Sequence, residues 1–517
     1  MKDRRIRNLL WIGLGLAVAA IPTIGFVGCT GQYTGTADTI TGVTDDFLNS
    51  GRTLSYFDAI QVDPPSEDSA GPQYVVADDL DGDGLVDLVS AWNQSQPVQL
   101  HLQRRSAAGE IGFVTVILGG NIPVVSVAGL AIADFDADGA LDIAVLVKET
   151  LQGGGGCLDS EQPDNASSSG LVLLYLGPTN VAQVEQSLAW KETPVEDSRL
   201  AGTIASTENP DSGGLTNMAI GDIDLDGDMD ILTAWNTPCG NEDGDSHLIV
   251  VFANQGPGAV RDKTWVGAPI PNSAPIGSLI NDIELGDIDG DGDLDVVATF
   301  PDAGSMNVRW FRNPVVDVVD DFHVSTGLWQ VGTVGQIATQ ADSARITDID
   351  GDGLLDVVVR SANGKLIQWL KGPGNQATTE PLPNLPWQVY TMSELRERTP
   401  QTLAVGDLNF DGQPEVIFSA GGGLALLDGD SAPSIYDQWI ERLIIDDDPP
   451  GQPGNSPATT DPNVSPSAVA GQTIIQSILV VDLDGDGAND LIATLDRSGL
   501  SGISNDAIVW FRNTLTP

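Results

Sequence analysis

One nine-residue stretch decides how this chain folds: residues 79–87 read Asp-Leu-Asp-Gly-Asp-Gly-Leu-Val-Asp. The same pattern, D-x-D-x-D-G-x-x-D, begins again at Asp134, Asp222, Asp287, Asp348 and Asp482, and a seventh copy with two substitutions begins at Asp407. A single copy would be weak support, since Asp and Gly also cluster in ordinary exposed turns. Seven copies with fixed internal spacing indicate a repeated structural unit with a repeated task.

The chemistry of the repeated stretch is that of a loop for a hard cation. Acidic side chains on alternate residues can turn their oxygens to one centre, and the glycine permits the bend that closes the loop. Calcium fits better than magnesium, because Ca²⁺ takes roughly 6 to 8 oxygens in flexible geometry while Mg²⁺ requires a near-ideal octahedron. Zinc is disfavoured because the chain has 3 His and 3 Cys. The alternative, acidic turns without metal, leaves the fixed positions of the acids unexplained.

The residues after each loop exclude an EF-hand and predict strands. An EF-hand requires a Glu at loop position 12 followed by a helix, whereas position 12 here is Ser90 in the first copy and Phe418 in the sixth, and Glu in none. Nearly continuous apolar runs follow instead, as in residues 295–300 and 356–360. Such runs are typical of strands that are covered on both faces.

The distances between the motifs predict the architecture. Successive copies start 55 to 88 residues apart, which suits four short strands with their turns. A clear unit places strands at 401–406, 416–420, 423–427 and 439–445, with the acidic loop between the first two. Seven such four-stranded blades around an axis make an all-β, seven-bladed β-propeller over residues 52–517. Because the chain ends just after a third strand, we expect residues 54–62 to supply the fourth strand of blade seven.

These repeats resemble FG-GAP/VCBS-type repeats, the calcium-loop blades of the integrin α-subunit head and of many bacterial surface proteins. The resemblance covers about residues 54–513, and Gly-Ala-Pro itself occurs once, at residues 267–269. It implies a loop between strands one and two of each blade, with side-chain ligands at loop positions 1, 3, 5 and 9 and a carbonyl at position 7. The implied ligands of up to seven Ca²⁺ are Asp79, Asp81, Asp83 and Asp87; Asp134, Asp136, Asp138 and Asp142; Asp222, Asp224, Asp226 and Asp230; Asp287, Asp289, Asp291 and Asp295; Asp348, Asp350, Asp352 and Asp356; Asp407, Asn409, Asp411 and Glu415; and Asp482, Asp484, Asp486 and Asp490.

The sixth loop departs most from the pattern. It has Asn409 at position 3 and Glu415 at position 9, directly after Pro414. We expect it to be the weakest site or an empty one. In the other loops four carboxylates repel one another without a cation, so the expected role of the metal is structural.

The composition bounds the possible partners. With 23 Lys and Arg against 73 Asp and Glu, the formal net charge is −50, which argues against binding to nucleic acid. Hydrophobic residues make up 41% of the chain, enough for a sizeable core, so the acidic chain is expected to be globular. Much of the negative charge belongs to the loops, where 27 of the 73 acids occupy ligand positions.

The N-terminus predicts export from the cytoplasm. Basic residues up to Arg7 precede an apolar run over residues 9–27, the pattern of a signal peptide over residues 1–28. Phe26-Val27-Gly28-Cys29 resembles the lipobox of bacterial lipoproteins, which implies lipidation of Cys29 and attachment to an outer membrane or cell surface. The alternative keeps the apolar run as an uncleaved membrane anchor. Residues 29–51 have the composition of a flexible tether.

The long insertions suggest where a partner binds. Segments 151–170 and 237–247 connect predicted strands two and three, and segments 196–214 and 446–472 connect one blade to the next, all opposite the acidic loops. Long loops on a rigid scaffold often carry binding specificity, so we expect a protein or glycan partner on that face; disordered spacers are the alternative. Cys157 and Cys239 fall in equivalent loops of neighbouring blades, and outside the cytoplasm we expect them to form a disulfide, with unpaired buried thiols as the alternative.

The function that fits these features best is a non-catalytic, calcium-binding propeller at the cell surface or in the envelope, acting in adhesion or as a scaffold. The alternative is a carbohydrate-active enzyme or an accessory module of one, because similar propellers occur in such proteins. A structural part in an envelope assembly is a third possibility. No catalytic residue is assigned: the sequence has no Gly-x-Ser-x-Gly elbow and no metal-binding His pair, and His101, His247 and His323 are expected to be incidental.

Overall fold

The architecture was obtained from a computed structural model. It describes residues 57–62, 71–92, 98–119, 126–148, 171–195, 214–236, 247–262, 265–270, 279–301, 307–315, 329–335, 337, 340–372, 387–395, 399–420, 423–429, 439–445, 474–496 and 507–515. The expected signal peptide (1–28) and tether (29–51), and with them Cys29, Cys157, Cys239 and His323, lie outside these residues. Within the described ranges, no helix combines the length and apolar character needed to cross a membrane.

The strands form seven four-stranded antiparallel sheets, which confirms the predicted propeller. The first strands of the blades contact one another in ring order, and the first strand of blade seven contacts that of blade one. The strands are, in blade one, β2 (Pro72–Asp78), β3 (Asp87–Trp92), β4 (Val98–Arg105) and β5 (Ile111–Ile117); in blade two, β6 (Ser126–Ala133), β7 (Asp142–Lys148), β8 (Leu171–Leu176) and β9 (Lys191–Pro194); in blade three, β10 (Gly214–Gly221), β11 (Asp230–Asn236), β12 (His247–Ala253) and β13 (Val266–Ile270); in blade four, β14 (Asp282–Gly286), β15 (Asp295–Thr299), β16 (Val308–Arg312) and β17 (Gln330–Gly335); in blade five, β18 (Ser343–Thr347), β19 (Asp356–Ser361), β20 (Leu366–Lys371) and β21 (Gln388–Glu394); in blade six, β22 (Pro400–Gly406), β23 (Glu415–Ala420), β24 (Gly423–Asp428) and β25 (Ile440–Ile445); and in blade seven, β26 (Ile474–Val481), β27 (Asp490–Asp496), β28 (Ala507–Asn513) and β1 (Phe57–Gln61).

Blade seven is built from both ends of the propeller. Its first three strands come from the C-terminal part of the chain, and β1 occupies the outer position, antiparallel to β28. The register runs from Phe57 opposite Asn513 to Gln61 opposite Val509. The N–H of Val62 adds a bond to the carbonyl of Ile508 at 2.9 Å. Because β1 covers the edge of β28, the blade has the same four strands as the others.

The hydrophobic core lies between blades. Second strands such as β3, β15 and β23 are buried along their whole length, because a neighbouring blade covers each face of the sheet. One core cluster joins blades one and two and includes Leu100 and Val145. Another joins blade seven to blade one through Trp510 and Trp92. Fourth strands such as β5 alternate exposed and covered residues, as expected at the outer rim.

Short helical segments lie in the connections between third and fourth strands. Blade three has a one-and-a-half-turn helix, α1 (Pro257–Asp262), and blade two has two 3-10 turns, Val181–Gln183 and Ser187–Ala189. A tryptophan directly precedes several fourth strands, and Trp265, Trp329 and Trp387 are all buried in the core between blades. These aromatic side chains therefore contribute packing rather than a ligand-binding surface.

Candidate metal centres

All seven acidic loops join the first strand of a blade to its second strand. In blade one the loop follows β2, which ends at Asp78, and its last residue, Asp87, is the first residue of β3. Position 9 opens the second strand in the other six blades as well. Because the first strands of a propeller run in the same direction around the ring, the seven loops share one face of the molecule.

The carboxylate at position 1 closes each loop through backbone N–H groups. Asp79 Oδ1 accepts a bond from the N–H of Asp83 at 3.0 Å, and Oδ2 accepts one from the N–H of Gly84 at 2.9 Å. The bond from the position 6 glycine recurs in all seven loops, at 2.8 to 3.1 Å. That glycine has φ between 84° and 99°, a conformation that is strained for any residue with a Cβ. The D-x-x-x-x-G spacing is thus a requirement of the backbone.

The carboxylate at position 9 ties the loop to the third strand of its own blade. In blade one, Asp87 Oδ2 accepts from Leu80 N at 3.1 Å and Oδ1 accepts from Gln103 N at 2.7 Å. Burial raises the pKa of Asp87 to about 7, and burial likewise raises the pKa of Asp295 and of Asp230 to about 8. These carboxylates are therefore costly to ionise in the absence of a bound cation.

In blades one, four and five, the carboxylate at position 3 has an oxygen that no donor in the described part of the chain satisfies. Oδ1 of Asp81, Asp289 and Asp350 is buried without a hydrogen bond, and in blade three the same is true of Asp222 Oδ1 at position 1. A buried carboxylate oxygen without a partner is costly, so these atoms require a ligand from outside the protein. Several carboxylate oxygens converge at each of these positions, and such hard donors suit a divalent cation.

In the loops of blades one to five, acidic oxygens are close enough to share one ion. Among the described residues, seven groups of acidic side chains place one ligand atom each within 4.8 Å of one another. Positions 1, 3 and 9 meet in blades one, two, three and five, and positions 1, 3 and 5 meet in blade four. Five of these groups are Asp79, Asp81 and Asp87; Asp134, Asp136 and Asp142; Asp222, Asp224 and Asp230; Asp287, Asp289 and Asp291; and Asp348, Asp350 and Asp356. In each of these five loops the structure thus brings together three of the four predicted side-chain ligands.

The sixth loop satisfies its own ligand oxygens. The side-chain amide of Asn409 donates to Glu415 Oε1, and Glu415 Oε2 accepts from Leu408 N at 2.7 Å. Asp407 Oδ1 accepts from Phe410 N rather than from position 5. Burial raises the pKa of Glu415 to about 8. In the sixth loop an internal amide therefore binds the position 9 oxygen that, in the other six loops, accepts an N–H at or near the end of the third strand.

Sequence reasoning missed a set of basic side chains at the ends of third strands. Arg312 Nε lies 2.5 Å from Asp289 Oδ2, and its Nη2 lies 2.7 Å from Asp291 Oδ2. Lys371 pairs in the same way with Asp350 and Asp352. The signal in the sequence is the recurrence of Trp-Phe-Arg at residues 310–312 and 510–512.

A second missed feature is a side-chain amide that joins the loops of blades two, three, six and seven to the next blade. The Asn313 side-chain amide donates to the carbonyl of Ile223, in the loop of the preceding blade, at 2.8 Å. It also donates to Leu294 O in its own loop at 3.1 Å. The same pair of hydrogen bonds, one to the loop of the preceding blade and one to the residue's own loop, is made by the side chains of Asn254, Asn513 and Gln103. Loops and blade interfaces are therefore part of one hydrogen-bond network.

Comparison with known proteins agrees with this architecture. The FG-GAP-like repeat family matches residues 79–145 and 348–418, which contain the first two and the fifth and sixth acidic loops. No curated protein sequence matches the chain significantly.

Many solved structures resemble the chain at low identity. An Agrocybe aegerita lectin that recognises non-reducing terminal N-acetylglucosamine is 16% identical, with 73% of this chain and 81% of that chain covered and a TM-score of 0.42. BBS1N in complex with ARL6DN is 12% identical in a mercury-soaked crystal, with 89% of this chain and 99% of that chain covered and a TM-score of 0.46. None of these structures is similar enough to transfer a ligand. The chain is a seven-bladed β-propeller that contains FG-GAP-like repeats and carries acidic clusters able to hold metal ions at the loops of its blades.

Proposed function

We propose that this protein is a calcium-binding, non-catalytic propeller in which up to seven Ca²⁺ stabilise the loops. The observation that carries the proposal is the buried Oδ1 atom of Asp81, Asp289 and Asp350, which accepts no hydrogen bond. Calcium supplies the missing partner and offsets the repulsion among the carboxylates that surround it. Magnesium fits less well, because the loops offer many oxygens from a flexible backbone rather than a rigid octahedron.

The proposed role of the metal is structural. Each loop connects the two inner strands of a blade, and position 9 also holds the third strand through Gln103 in blade one and Asn313 in blade four. Ions that bind only the folded loops stabilise the fold by mass action. For sites with dissociation constants near 10⁻⁴ to 10⁻³ M, about 10 mM Ca²⁺ adds roughly 1 to 3 kcal/mol per site.

The experiment is a metal count combined with thermal unfolding. Native mass spectrometry is expected to show six or seven bound Ca²⁺, and chelation with EDTA is expected to lower the melting temperature, with Ca²⁺ restoring it and Mg²⁺ doing so less well. Asp289→Asn removes one ligand charge at position 3 and is expected to remove one ion. An unchanged melting temperature and unchanged protease resistance in EDTA would contradict the proposal.

A non-catalytic role is supported by the surroundings of the histidine in blade one. His101 Nε2 lies 2.8 Å from Ser90 Oγ, the pairing that a nucleophilic serine requires. Both side chains are completely buried, and the second ring nitrogen faces Thr115 Oγ1 at 3.2 Å. Burial lowers the pKa of His101 to about 3. A substrate has no access to this pair, so it serves packing.

We further propose that the protein is held outside the cytoplasm by its N-terminus and presents the face opposite the loops to a protein or glycan. The export pattern of residues 1–28 and Cys29 supports the first point. For the second, the described ends of β7 and β8, between which residues 149–170 run, lie at that face. A glycan array probed with the calcium-loaded protein tests it, and hydrolysis of any bound glycan would overturn the non-catalytic role.

A further inference from the structure

The seven loops differ in the residue that faces them from the third strand. In six blades, a residue at or near the end of the third strand donates its backbone N–H to the position 9 carboxylate. Asn313 donates to Asp295 at 2.7 Å, and Gly177 donates to Asp142 at 2.8 Å. The residue directly before this donor is basic in blades four, five and seven: Arg312, Lys371 and Arg512. In blades two and three it is Leu176 and Ala253.

Each basic side chain binds the outer oxygens of positions 3 and 5. Arg312 contacts Oδ2 of both Asp289 and Asp291, and Lys371 contacts Oδ2 of both Asp350 and Asp352. Arg512 reaches Asp484 Oδ2 at 2.6 Å and Asp486 Oδ2 at 3.8 Å. The pairs in blades four and five are partly sheltered, since Arg312 is 14% exposed and Lys371 is 24% exposed, whereas Arg512 is 42% exposed. Water therefore screens the first two pairs less than an ordinary surface ion pair.

At position 5 a backbone N–H of the loop holds one carboxylate oxygen and the basic side chain holds the other. Asp291 Oδ1 accepts from Asp293 N at 3.3 Å, and Asp352 Oδ1 accepts from Leu354 N at 3.1 Å. The remaining oxygen, Oδ2, is the one that the basic side chain holds. In blade two, Asp138 Oδ1 accepts from Ala140 N in the same way, and the facing residue Leu176 brings no charge to Oδ2.

We propose that Arg312, Lys371 and Arg512 are internal counter-cations: they lower the calcium affinity of the loops in blades four, five and seven and keep those loops folded without metal. The proposal rests on the calcium-binding function proposed above. The third strands of blades two and three carry no Lys or Arg, so their own loops receive no counter-cation from that strand, and we expect these loops to bind Ca²⁺ at lower concentration. Blades three and four both carry a fifth acid at position 7, Asp228 and Asp293, so the basic side chain Arg312 is what distinguishes their loops. In blade one, Arg104 reaches Asp81 Oδ2 at 2.7 Å and Asp83 Oδ2 at 3.4 Å from the residue directly after the N–H donor of the third strand. Because Glu185 also binds Arg104, we expect the loop of blade one to be intermediate.

Hydrogen exchange measured by mass spectrometry along a calcium titration tests this, because it gives a separate midpoint for each loop peptide. In the wild-type protein, residues 134–142 and 222–230 are expected to become protected at lower calcium than residues 287–295, 348–356 and 482–490. Lys371→Met removes the charge with little change of shape. It is expected to shift the midpoint of residues 348–356 alone to about tenfold lower calcium, as expected for one charge near a divalent ion in a partly solvated site. In the absence of calcium, Lys371→Met is expected to lower the protection of residues 348–356 against hydrogen exchange.

Two further variants complete the design. Leu176→Lys places the charge in blade two and is expected to move the midpoint of residues 134–142 to higher calcium. Lys191→Met, at an exposed lysine of β9, controls for the loss of a positive charge and is expected to shift no midpoint. If Lys371→Met raises the calcium midpoint of residues 348–356 or leaves it unchanged, the proposed competition between Lys371 and Ca²⁺ is refuted. If no loop of the wild-type protein responds to calcium, the proposed function itself fails.

Discussion

The strand that closes the ring offers the sharpest test of the fold. Truncation before residue 63 removes β1, which makes five registered pairs with β28, and also the bond from Val62 N to Ile508 O. A hydrogen bond contributes about 1 kcal/mol net, and burying a valine such as Val62, 6% exposed, contributes about 1.5 to 3 kcal/mol. The backbone entropy that the freed strand regains offsets part of this sum. At about 1 kcal/mol of backbone entropy per freed residue, the net loss is a few kcal/mol, still a sizeable part of the stability of a typical folded protein, about 5 to 15 kcal/mol.

The assay is scanning calorimetry at saturating calcium on two chains, one that starts at residue 52 and one that starts at residue 63. We expect the shorter chain to melt at least about 5 °C lower and less cooperatively. Val62→Ala in the longer chain isolates the buried side chain and is expected to cost about 1 to 3 kcal/mol. Asp58→Ala, at an exposed position of the same strand, is expected to cost less than about 0.5 kcal/mol. Equal melting temperatures for the two chains would refute closure by β1.

Three further predictions concern single side chains. Asn409→Asp replaces the amide that bonds Glu415 by a repelling carboxylate, so we expect a lower melting temperature in EDTA, a larger gain on adding Ca²⁺, and one more ion by native mass spectrometry than the wild type binds. Leu225 has φ 59° and is 48% exposed, so Leu225→Gly is expected to raise the free energy of unfolding by about 0.5 to 1 kcal/mol, measured in urea; a loss would mean that its side chain is packed. Burial lowers the pKa of His101 from 6.5 to about 3, so the unfolded chain gains a proton first as the pH falls, and stability is lost below about pH 6.5. Between pH 7 and pH 5 the wild type is expected to lose about 2 kcal/mol more than His101→Gln, and equal losses would contradict a neutral buried histidine.

The repeated motif made most of the fold predictable. The number of motif copies predicted the number of blades, and the spacing between copies predicted four strands in each blade. Local hydrophobic patterns placed strands close to their observed bounds, as with 401–406 against β22 (Pro400–Gly406). The composition of the sixth loop also indicated an unusual site, and the bond between Asn409 and Glu415 gives a physical reason for it. These features are local in sequence, because each depends on residues within one loop or one strand.

The features that sequence reasoning missed depend on contacts between distant residues. Arg312 is 21 residues from Asp291, and its role follows from the register of β16 beside β15, which brings the end of the third strand next to the loop. Asn313 is 90 residues from Ile223, and its bond depends on how two blades pack. Sequence patterns predicted the loop ligands, but the charges and amides that surround them required the three-dimensional arrangement.

The amide network explains how metal at one face can stabilise a ring of blades. Asn513 links blade seven to the loop of blade six through Leu408 O, and Gln103 links blade one to the loop of blade seven through Leu483 O. Blades two and five have glycine at this position, and a Cβ on Gly372 would lie 2.3 Å from Leu355 O, so there the third strand packs directly on its own loop. In both arrangements an ordered loop holds the third strand, and where the amide is present it also holds the neighbouring blade. Many of the acidic residues therefore belong to loops that make the contacts between blades. A metal that orders these loops would stabilise the same contacts.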